Sequence, residues 1–251
     1  MRMSILLILC SSLASCAATQ TAERPPAGGD ASSGGAPARE LRRPFVVREA
    51  DLPEGFPAPG PVGHVLVKRY PAYRLARVRS GVGGIDGGPN AMFRPLYNHI
   101  RRGNIPMTVP VELGYSSDVP GVEGLKSPRP PAAESMAFLY GRPVLGRPGT
   151  DQEDPRVIVE DVPAMTVLSV GVRGDYTDAN FATGLKKLND WMAANPGRVR
   201  VVGSPRYLAY NSPFVLGFLK YGEVQLPVEC VSEMAEASCG AAGGPAPGCG
   251  P

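Results

Sequence analysis

The residue types that carry most enzyme chemistry are scarce in this chain of 251 residues. It has two histidines, His64 and His99, and five cysteines, which leaves little material for a metal site with several ligands. The sequence contains no motif typical of a Ser-His-Asp triad, no HExxH motif and no nucleophile elbow. We therefore expect a binding function and no catalysis.

One carboxylate is notable for its position in an alternating strand. A period of two places Tyr221, Glu223 and Gln225 on one face of that strand and Val224 and Leu226 on the other. If the polar face lines a cavity, Glu223 is a buried acceptor that can recognise cationic or amide ligands. If that face points to solvent, Glu223 is an ordinary surface residue, and the sequence leaves both possibilities open.

The elements that must position these residues form two similar halves, each reading as strand, helix, strand, strand. The predicted segments are strand 64–78, helix 92–102 and strands 107–113 and 135–140, then strand 164–172, helix 178–195 and strands 206–210 and 223–228. Strand pairs without an intervening helix favour antiparallel pairing. We predict an α+β fold in which duplicated βαββ units form a distorted antiparallel β-barrel or curved sheet flanked by two helices.

The second helix has the clearer apolar stripe. Phe181, Leu185, Leu188 and Met192 fall at spacings of four, three and four residues, which places them on one face. Asp178 is the predicted N-cap of this helix.

The first helix also has one apolar face, formed by Phe93, Leu96, Tyr97 and Ile100. Pro95 lacks a backbone donor, so this helix is expected to start late or to kink near that residue. Core packing is the simplest role for the stripe of either helix.

The N-terminus is typical of an exported lipoprotein. Arg2 precedes an apolar run at 5–10 that is too short to span a bilayer. The stretch Leu-Ala-Ser-Cys ending at Cys16 looks like the lipobox that is cleaved before its cysteine, which then receives lipid. A plain secretory signal is the alternative. We expect a signal peptide at 1–15, a membrane anchor on Cys16 and a location in the bacterial cell envelope, at the outer membrane facing the periplasm.

Composition divides the rest of the chain. The 31 Gly and 28 Pro residues are densest near the ends, with 14 of them at 17–62 and 8 at 240–251. We therefore predict a flexible tether at 16–62, a folded domain at 63–230 and a disordered tail at 231–251. The net charge of +3, from 26 basic and 23 acidic residues, gives no concentrated basic surface, so no nucleic-acid partner is expected.

Six stretches of the predicted domain carry a family resemblance. They are VKRYPAY at 67–73, LYNHIRRGN at 96–104, IPMTVPV at 105–111, VIVED at 157–161, YLAYNSPF at 207–214 and YGEVQLPV at 221–228. Together and in this order they resemble the SOUL/haem-binding protein family. The resemblance implies a duplicated βαββ fold and non-covalent binding of haem b or another porphyrin.

What the resemblance implies about the site begins with the first helix. In some family members the macrocycle lies against apolar side chains of this helix, where this chain has Phe93 and Tyr97, with Leu96 and Ile100 as neighbours. Arg94 lies on the same helix and could contact a haem propionate. The expected site is an apolar cleft edged by these aromatic rings.

The resemblance gives little support for an axial ligand. One family member is thought to use a histidine at the position of Arg69, and a charged guanidinium cannot coordinate iron. His99 is a weak alternative at the edge of the apolar stripe, and Met107 could coordinate in principle. We expect binding without a strong protein axial ligand, with Tyr210 available to add stacking area.

The leading hypothesis is therefore a non-covalent haem- or tetrapyrrole-binding protein of the cell envelope, acting in storage, scavenging or transfer. One alternative is a binding module for another amphipathic small molecule, with Glu223 as its polar anchor. A hydrolase on the same scaffold and an interaction module without a ligand are the remaining alternatives.

Overall fold

A computed structural model describes residues 43–81, 88–116 and 132–231 of the chain. These residues form two α-helices, α1 at Pro89–Arg102 and α2 at Asp178–Ala194. The strands are β1 Val65–Tyr70, β2 Tyr73–Arg79, β3 Val111–Tyr115, β4 Ala133–Leu139, β5 Gly149–Thr150, β6 Ile158–Val162, β7 Met165–Arg173, β8 Val199–Val201, β9 Arg206–Ala209 and β10 Tyr221–Cys230. Within the described residues, neither helix has the length and apolar character needed to cross a membrane.

The strands form one antiparallel sheet. Their order is β1-β7-β10-β9-β3-β4-β2-β6-β5, and β8 pairs with β10 outside this order. Because the two end strands of the described sheet do not pair with each other, the sheet is open. The prediction of an α+β fold with a curved antiparallel sheet flanked by two helices is confirmed, and closure into a barrel is not seen in the described part of the chain.

The two predicted halves meet at the centre of the sheet. One unit consists of β2, α1, β3 and β4, and the other of β7, α2, β9 and β10. The units join where β3 pairs with β9, with Val111 opposite Ala209. In addition, the strand before each unit pairs with the other unit, since β1 pairs with β7 and β6 with β2. This exchange ties the two halves together, and the sequence analysis, which did not identify β6 as a strand, missed it.

Both helices pack on the same face of the sheet. Their buried residues belong to one apolar cluster and are Met92, Leu96, Ile100, Phe181, Leu185 and Leu188. Val224 and Leu226 of β10 lie in this cluster, whereas Tyr221 belongs to a cluster on the other face. A Cβ on Gly184 would lie only 2.5 Å from a methyl group of Val224, so the close contact of α2 with the sheet depends on that glycine.

The helix ends differ from the prediction. α1 begins at Pro89, before the predicted start at residue 92, and Pro95 lies inside the helix. Pro89 suits the first turn because its φ is helical and the backbone donor that it lacks would have no helical partner there. The predicted N-cap of α2 was wrong: Thr177 caps the helix, and its hydroxyl accepts a hydrogen bond of 3.2 Å from the N–H of Asn180.

Residues 43–61, here called the N-terminal segment, lie against the sheet face opposite the helices. The ring of Phe56 packs edge-on against Tyr70 and Tyr73, with centroid distances of 4.9 and 5.1 Å. Just after the segment, the N–H of Gly63 donates to the carbonyl of Gly171 at 2.8 Å. The sequence analysis assigned these residues to the tether. The predicted signal peptide, Cys16, the tether up to residue 42 and the tail from residue 232 lie outside the described residues.

Candidate functional site

The predicted site residues are divided between the two faces of the sheet. Phe93, Leu96, Tyr97 and Ile100 belong to α1 on the helix-bearing face, and Arg94 is exposed on the same helix. Tyr210 and Glu223 are buried on the opposite face, which we call the polar face. The structure therefore does not bring the whole set together.

Phe93 and Tyr97 form a pair of stacked rings on the outer side of α1, here called the aromatic plate. Their centroids are 5.9 Å apart and the ring planes differ by 15°. Phe93 is half-buried and packs edge-on against Phe138 at 5.2 Å, whereas Tyr97 is 41% exposed. Leu96 and Ile100 are buried in the core, so they support the plate from below and present no surface to a ligand.

Cationic side chains lie beside the plate. The guanidinium carbon of Arg101 lies 5.7 Å from the centroid of the Tyr97 ring. Arg102, in contrast, pairs with Asp151 at 2.9 Å and with Glu153 at 3.2 Å. Arg94 is exposed and has no ion pair among the described residues. Arg94 and Arg101 are therefore the arginines of α1 that have no ion pair among the described residues.

Both ring nitrogens of His99 are occupied. Nδ1 donates to the carboxylate of Asp151, which can only accept, and Nε2 lies 2.7 Å from the hydroxyl of Tyr140. Burial alone would raise the pKa of Asp151, but hydrogen bonds from His99 and from the backbone of Asp154 and Glu153 lower it to about 2. Burial raises the pKa of Tyr140 to about 12. In this arrangement His99 has no free nitrogen for a ligand.

Met107, the other residue considered for iron coordination, lies between α1 and β3 and is 41% exposed. His64 is exposed immediately before β1. Among the described residues no group of three or more His, Cys, Asp and Glu side chains is arranged to hold a metal ion.

On the polar face, Glu223 is fully buried and accepts several hydrogen bonds from the chain itself. Its donors are Lys68 Nζ at 2.5 Å, the Gly60 N–H at 2.6 Å, the Tyr221 hydroxyl at 2.9 Å, Gln225 Nε2 at 3.1 Å and the Tyr210 hydroxyl at 3.3 Å. Burial alone would raise the pKa of Glu223, but the ammonium group of Lys68 and these hydrogen bonds hold it below its ordinary value. Glu223 is therefore buried and not exposed to solvent, but it does not line either of the cavities described below, and its hydrogen-bond donors all come from the chain.

A second buried carboxylate continues this polar network. Glu112 accepts from Arg206 at 2.9 Å and from Arg77 at 3.1 Å. Arg206 also donates to Gln225 at 3.0 Å, which links Glu112 to Glu223. Burial alone would raise the pKa of Glu112, but the two guanidinium groups lower it. The sequence analysis missed this network, although a charged residue between apolar neighbours, as in Val-Glu-Leu at 111–113, was a usable signal.

Two cavities formed by the described residues do not touch α1. The first, of about 580 Å³, opens on the polar face and includes Arg77, Glu112 and Arg206 in its lining. The second, of about 660 Å³, is lined by the N-terminal segment together with Val109 and Tyr210. The apolar cleft that the sequence analysis expected beside α1 coincides with neither cavity, and the rings expected to edge it form an exposed plate.

A model of the SOUL heme-binding protein family matches residues 63–227, which is more than half of the chain. The chain belongs to the SOUL heme-binding protein family. A comparison with curated protein sequences returned no match.

Several solved structures resemble the SOUL domain at low sequence identity. The C-terminal domain of EcmrR is 16% identical over 67% of this chain and 98% of that domain, with a TM-score of 0.48. In the EcmrR–DNA complex the match, at the same identity and a TM-score of 0.49, covers 67% of this chain and 58% of the EcmrR chain. A hydrolase from Listeria innocua is 12% identical over 65% of this chain and 92% of that chain, with a TM-score of 0.43.

The plate of this SOUL domain fits a tetrapyrrole held by stacking. Haem is a flat apolar macrocycle with anionic propionates, so it requires an apolar surface and cationic groups near its edge. Phe93 and Tyr97 would offer the apolar surface, and Arg101, whose guanidinium lies beside the Tyr97 ring, would offer a cation. The cavity beside Glu112 suits the macrocycle less well because charged side chains contribute much of its lining.

Proposed function

We propose that this SOUL domain binds haem or another tetrapyrrole non-covalently on the outer face of α1, without catalysis. The observation that carries the proposal is the nearly parallel stacking of Phe93 and Tyr97, with the Tyr97 ring exposed. Aromatic surfaces of this kind favour flat apolar ligands through area burial and offset stacking.

In this proposal each residue of the site has a separate task. Phe93 and Tyr97 stack against the macrocycle, and Leu96 and Ile100 fix the position of α1 from the core side. Arg94 and Arg101 bind the propionates. Bound haem supplies a redox-active iron, and no protein axial ligand is assigned to it because His99 is held by Asp151 and Tyr140.

We further propose that the protein acts in the bacterial cell envelope, in storage, scavenging or transfer of the tetrapyrrole. The sequence pattern ending at Cys16 supports this location. An acylated cysteine would keep the protein at a membrane surface, where apolar ligands accumulate.

The contacts of Glu223 do not favour the alternative in which this carboxylate anchors another small molecule. Its donors all come from the chain, and the N-terminal segment supplies one of them at Gly60. An incoming ligand would have to replace these buried hydrogen bonds, and doing so would carry a desolvation cost.

The experiment is a haemin titration of the full chain, followed by the Soret band and by quenching of Trp191, the single tryptophan. We expect a shifted Soret band with a defined stoichiometry. Phe93→Ala or Tyr97→Ala should weaken binding by about tenfold, because each removes one stacking surface. Phe214→Ala is the matched control, since that ring is 95% exposed and does not belong to α1.

Two results would count against the proposal. One is an unchanged haemin spectrum at tens of micromolar protein. The other is equal weakening by Phe93→Ala, Tyr97→Ala and Phe214→Ala, because it would show that haemin adsorbs to any exposed ring.

A further inference from the structure

The loop between β9 and β10 exposes three large apolar side chains. Phe214 is 95% exposed, Phe218 is 69% exposed and Leu216 is 62% exposed. They are spaced two residues apart, and Val215 between the first two is less exposed. We call these three side chains the apolar tip.

The base of this loop is fixed by polar contacts. Glu49 accepts from the N–H and the hydroxyl of Ser212, at 2.7 and 2.6 Å. At the other end, Lys220 donates to Asp175 at 2.8 Å. The backbone between them turns through a short 3-10 helix at Gly217–Leu219. The loop therefore holds the apolar tip outward on an anchored base.

The apolar tip lies where the N-terminal part of the chain reaches the sheet. Arg173 donates to the carbonyl of Leu219 at 2.8 Å and to the carbonyl of Phe45 at 2.6 Å. The ring of Phe45 is itself 68% exposed. The first described residues of the chain therefore lie beside the tip.

We propose that the apolar tip inserts into a lipid surface and gives the protein a membrane contact in addition to any anchor at Cys16. The three side chains of the apolar tip are each more than 60% exposed, so they do not line a groove that could hold a protein segment. Three of them also fall well short of the roughly 20–30 residues a side in a stable protein interface. A bilayer needs no shape complementarity and accepts single apolar side chains at its headgroup boundary.

The charges at the loop indicate which lipids it accepts. Lys220 is paired with Asp175, and the two other charges at the base of the loop, Glu49 and Arg173, have opposite signs, so the base carries no excess of either charge. Insertion therefore relies on apolar burial, and it requires neither anionic headgroups nor low salt. This inference does not depend on haem binding.

The test uses the full chain carrying Trp191→Phe and Phe214→Trp, so that the single tryptophan reports on the tip. The chain is mixed with phosphatidylcholine vesicles or with vesicles of phosphatidylethanolamine and phosphatidylglycerol. We expect a blue shift of the emission and quenching by brominated lipid with both compositions. The control carries Trp191→Phe and Val144→Trp, with Phe214 unchanged. Val144 is 80% exposed and lies outside this loop, so its tryptophan should show neither the blue shift nor the quenching. Phe218→Trp is a second reporter should the first variant fail to fold.

Three outcomes would overturn the proposal. The first is emission from the tip reporters that is unchanged and unquenched by vesicles. The second is an effect confined to anionic vesicles and reversed by high salt, which would assign the contact to the arginine-containing chain before Phe45. The third is a blue shift without lipid that grows with protein concentration, which would assign the tip to a contact between two copies of the chain.

Discussion

The N–H of Gly60 donates a 2.6 Å hydrogen bond to the carboxylate of Glu223, 163 positions later in the chain. Lys68 binds the same carboxylate oxygen and also donates to the carbonyl of Ala58 at 2.8 Å. The buried ion pair of Lys68 and Glu223 therefore joins the packing of Phe56 in holding the N-terminal segment on the polar face of the sheet.

Glu223→Gln should destabilise the protein by about 3 kcal/mol in urea unfolding. The variant keeps the shape of the side chain but leaves the ammonium group of Lys68 buried without a counter-charge, and breaking a buried pair on one side is costly. Trypsin should also cleave after Arg48 faster in this variant, because the N-terminal segment is held less firmly on the sheet. Haemin affinity should not change, because Glu223 and the plate lie on opposite faces of the sheet.

Glu229→Gln on the same strand is the matched control. Glu229 pairs with Arg200, but both side chains are more than half exposed, so the loss should stay below about 1 kcal/mol. Equal losses for the two variants would contradict the role given to the buried pair.

Gly184→Ala should lower the free energy of unfolding by about 1 kcal/mol, although alanine is the better helix former. The added methyl group would lie 2.5 Å from Val224, and relieving that overlap costs more than the gain in helix propensity of about 1 kcal/mol. In a Val224→Ala background the contact with that methyl group is removed, but the Cβ of residue 224 still lies 2.8 Å from the added methyl group, so the same change should cost less than it does beside valine. A double-mutant cycle measures the coupling, and additive effects of the two changes would contradict this account.

Acid unfolding should depend on Asp151. Its pKa is about 2 in the folded protein against an ordinary value of 3.8, so its ionised form stabilises the fold above about pH 4. That contribution, about 2 kcal/mol, is lost as the pH falls from about 4 to about 2. Asp151→Asn should flatten the dependence of the unfolding free energy on pH in that window. Asp190→Asn, which changes an exposed carboxylate, is the control, and parallel curves for wild type and Asp151→Asn would refute the prediction.

His99→Gln should leave the position of the Soret band and the haemin affinity unchanged. Asp151 and Tyr140 are hydrogen-bonded to the two ring nitrogens of His99, so neither nitrogen is available to coordinate iron. Phe93→Ala, measured alongside, should weaken binding. If His99→Gln instead shifts the band, the ring must turn away from Asp151 when haem binds.

The repeat could be predicted because its signals are local. Apolar residues two apart define a strand face, and those three or four apart define a helix stripe, whatever the rest of the chain does. Phe181, Leu185 and Leu188 are buried together as their spacing predicts, and Glu223 alternates with Val224 as expected. The strands β5, β6 and β8 were missed because two to five residues carry little periodicity.

The site was harder to predict for a different reason. Spacing places Phe93 and Tyr97 on one helix face, but it does not say which side of the sheet Glu223 occupies relative to that helix. Composition likewise assigned the N-terminal segment to a tether, because contacts such as that of Phe56 with Tyr70 and Tyr73 have no local signature.

The sequence by itself determined the α+β repeat, the family and the alternation that places Glu223 and Val224 on opposite faces of one strand. Only the tertiary structure decided that β1 and β6 exchange between the halves, that Lys68 meets Glu223 across 155 positions, and that the predicted site is split by the sheet. The physical reason is that strand faces and helix stripes follow from backbone geometry over a few residues. The partner of a buried charge depends on which distant strands pair, and a single sequence does not show that pairing.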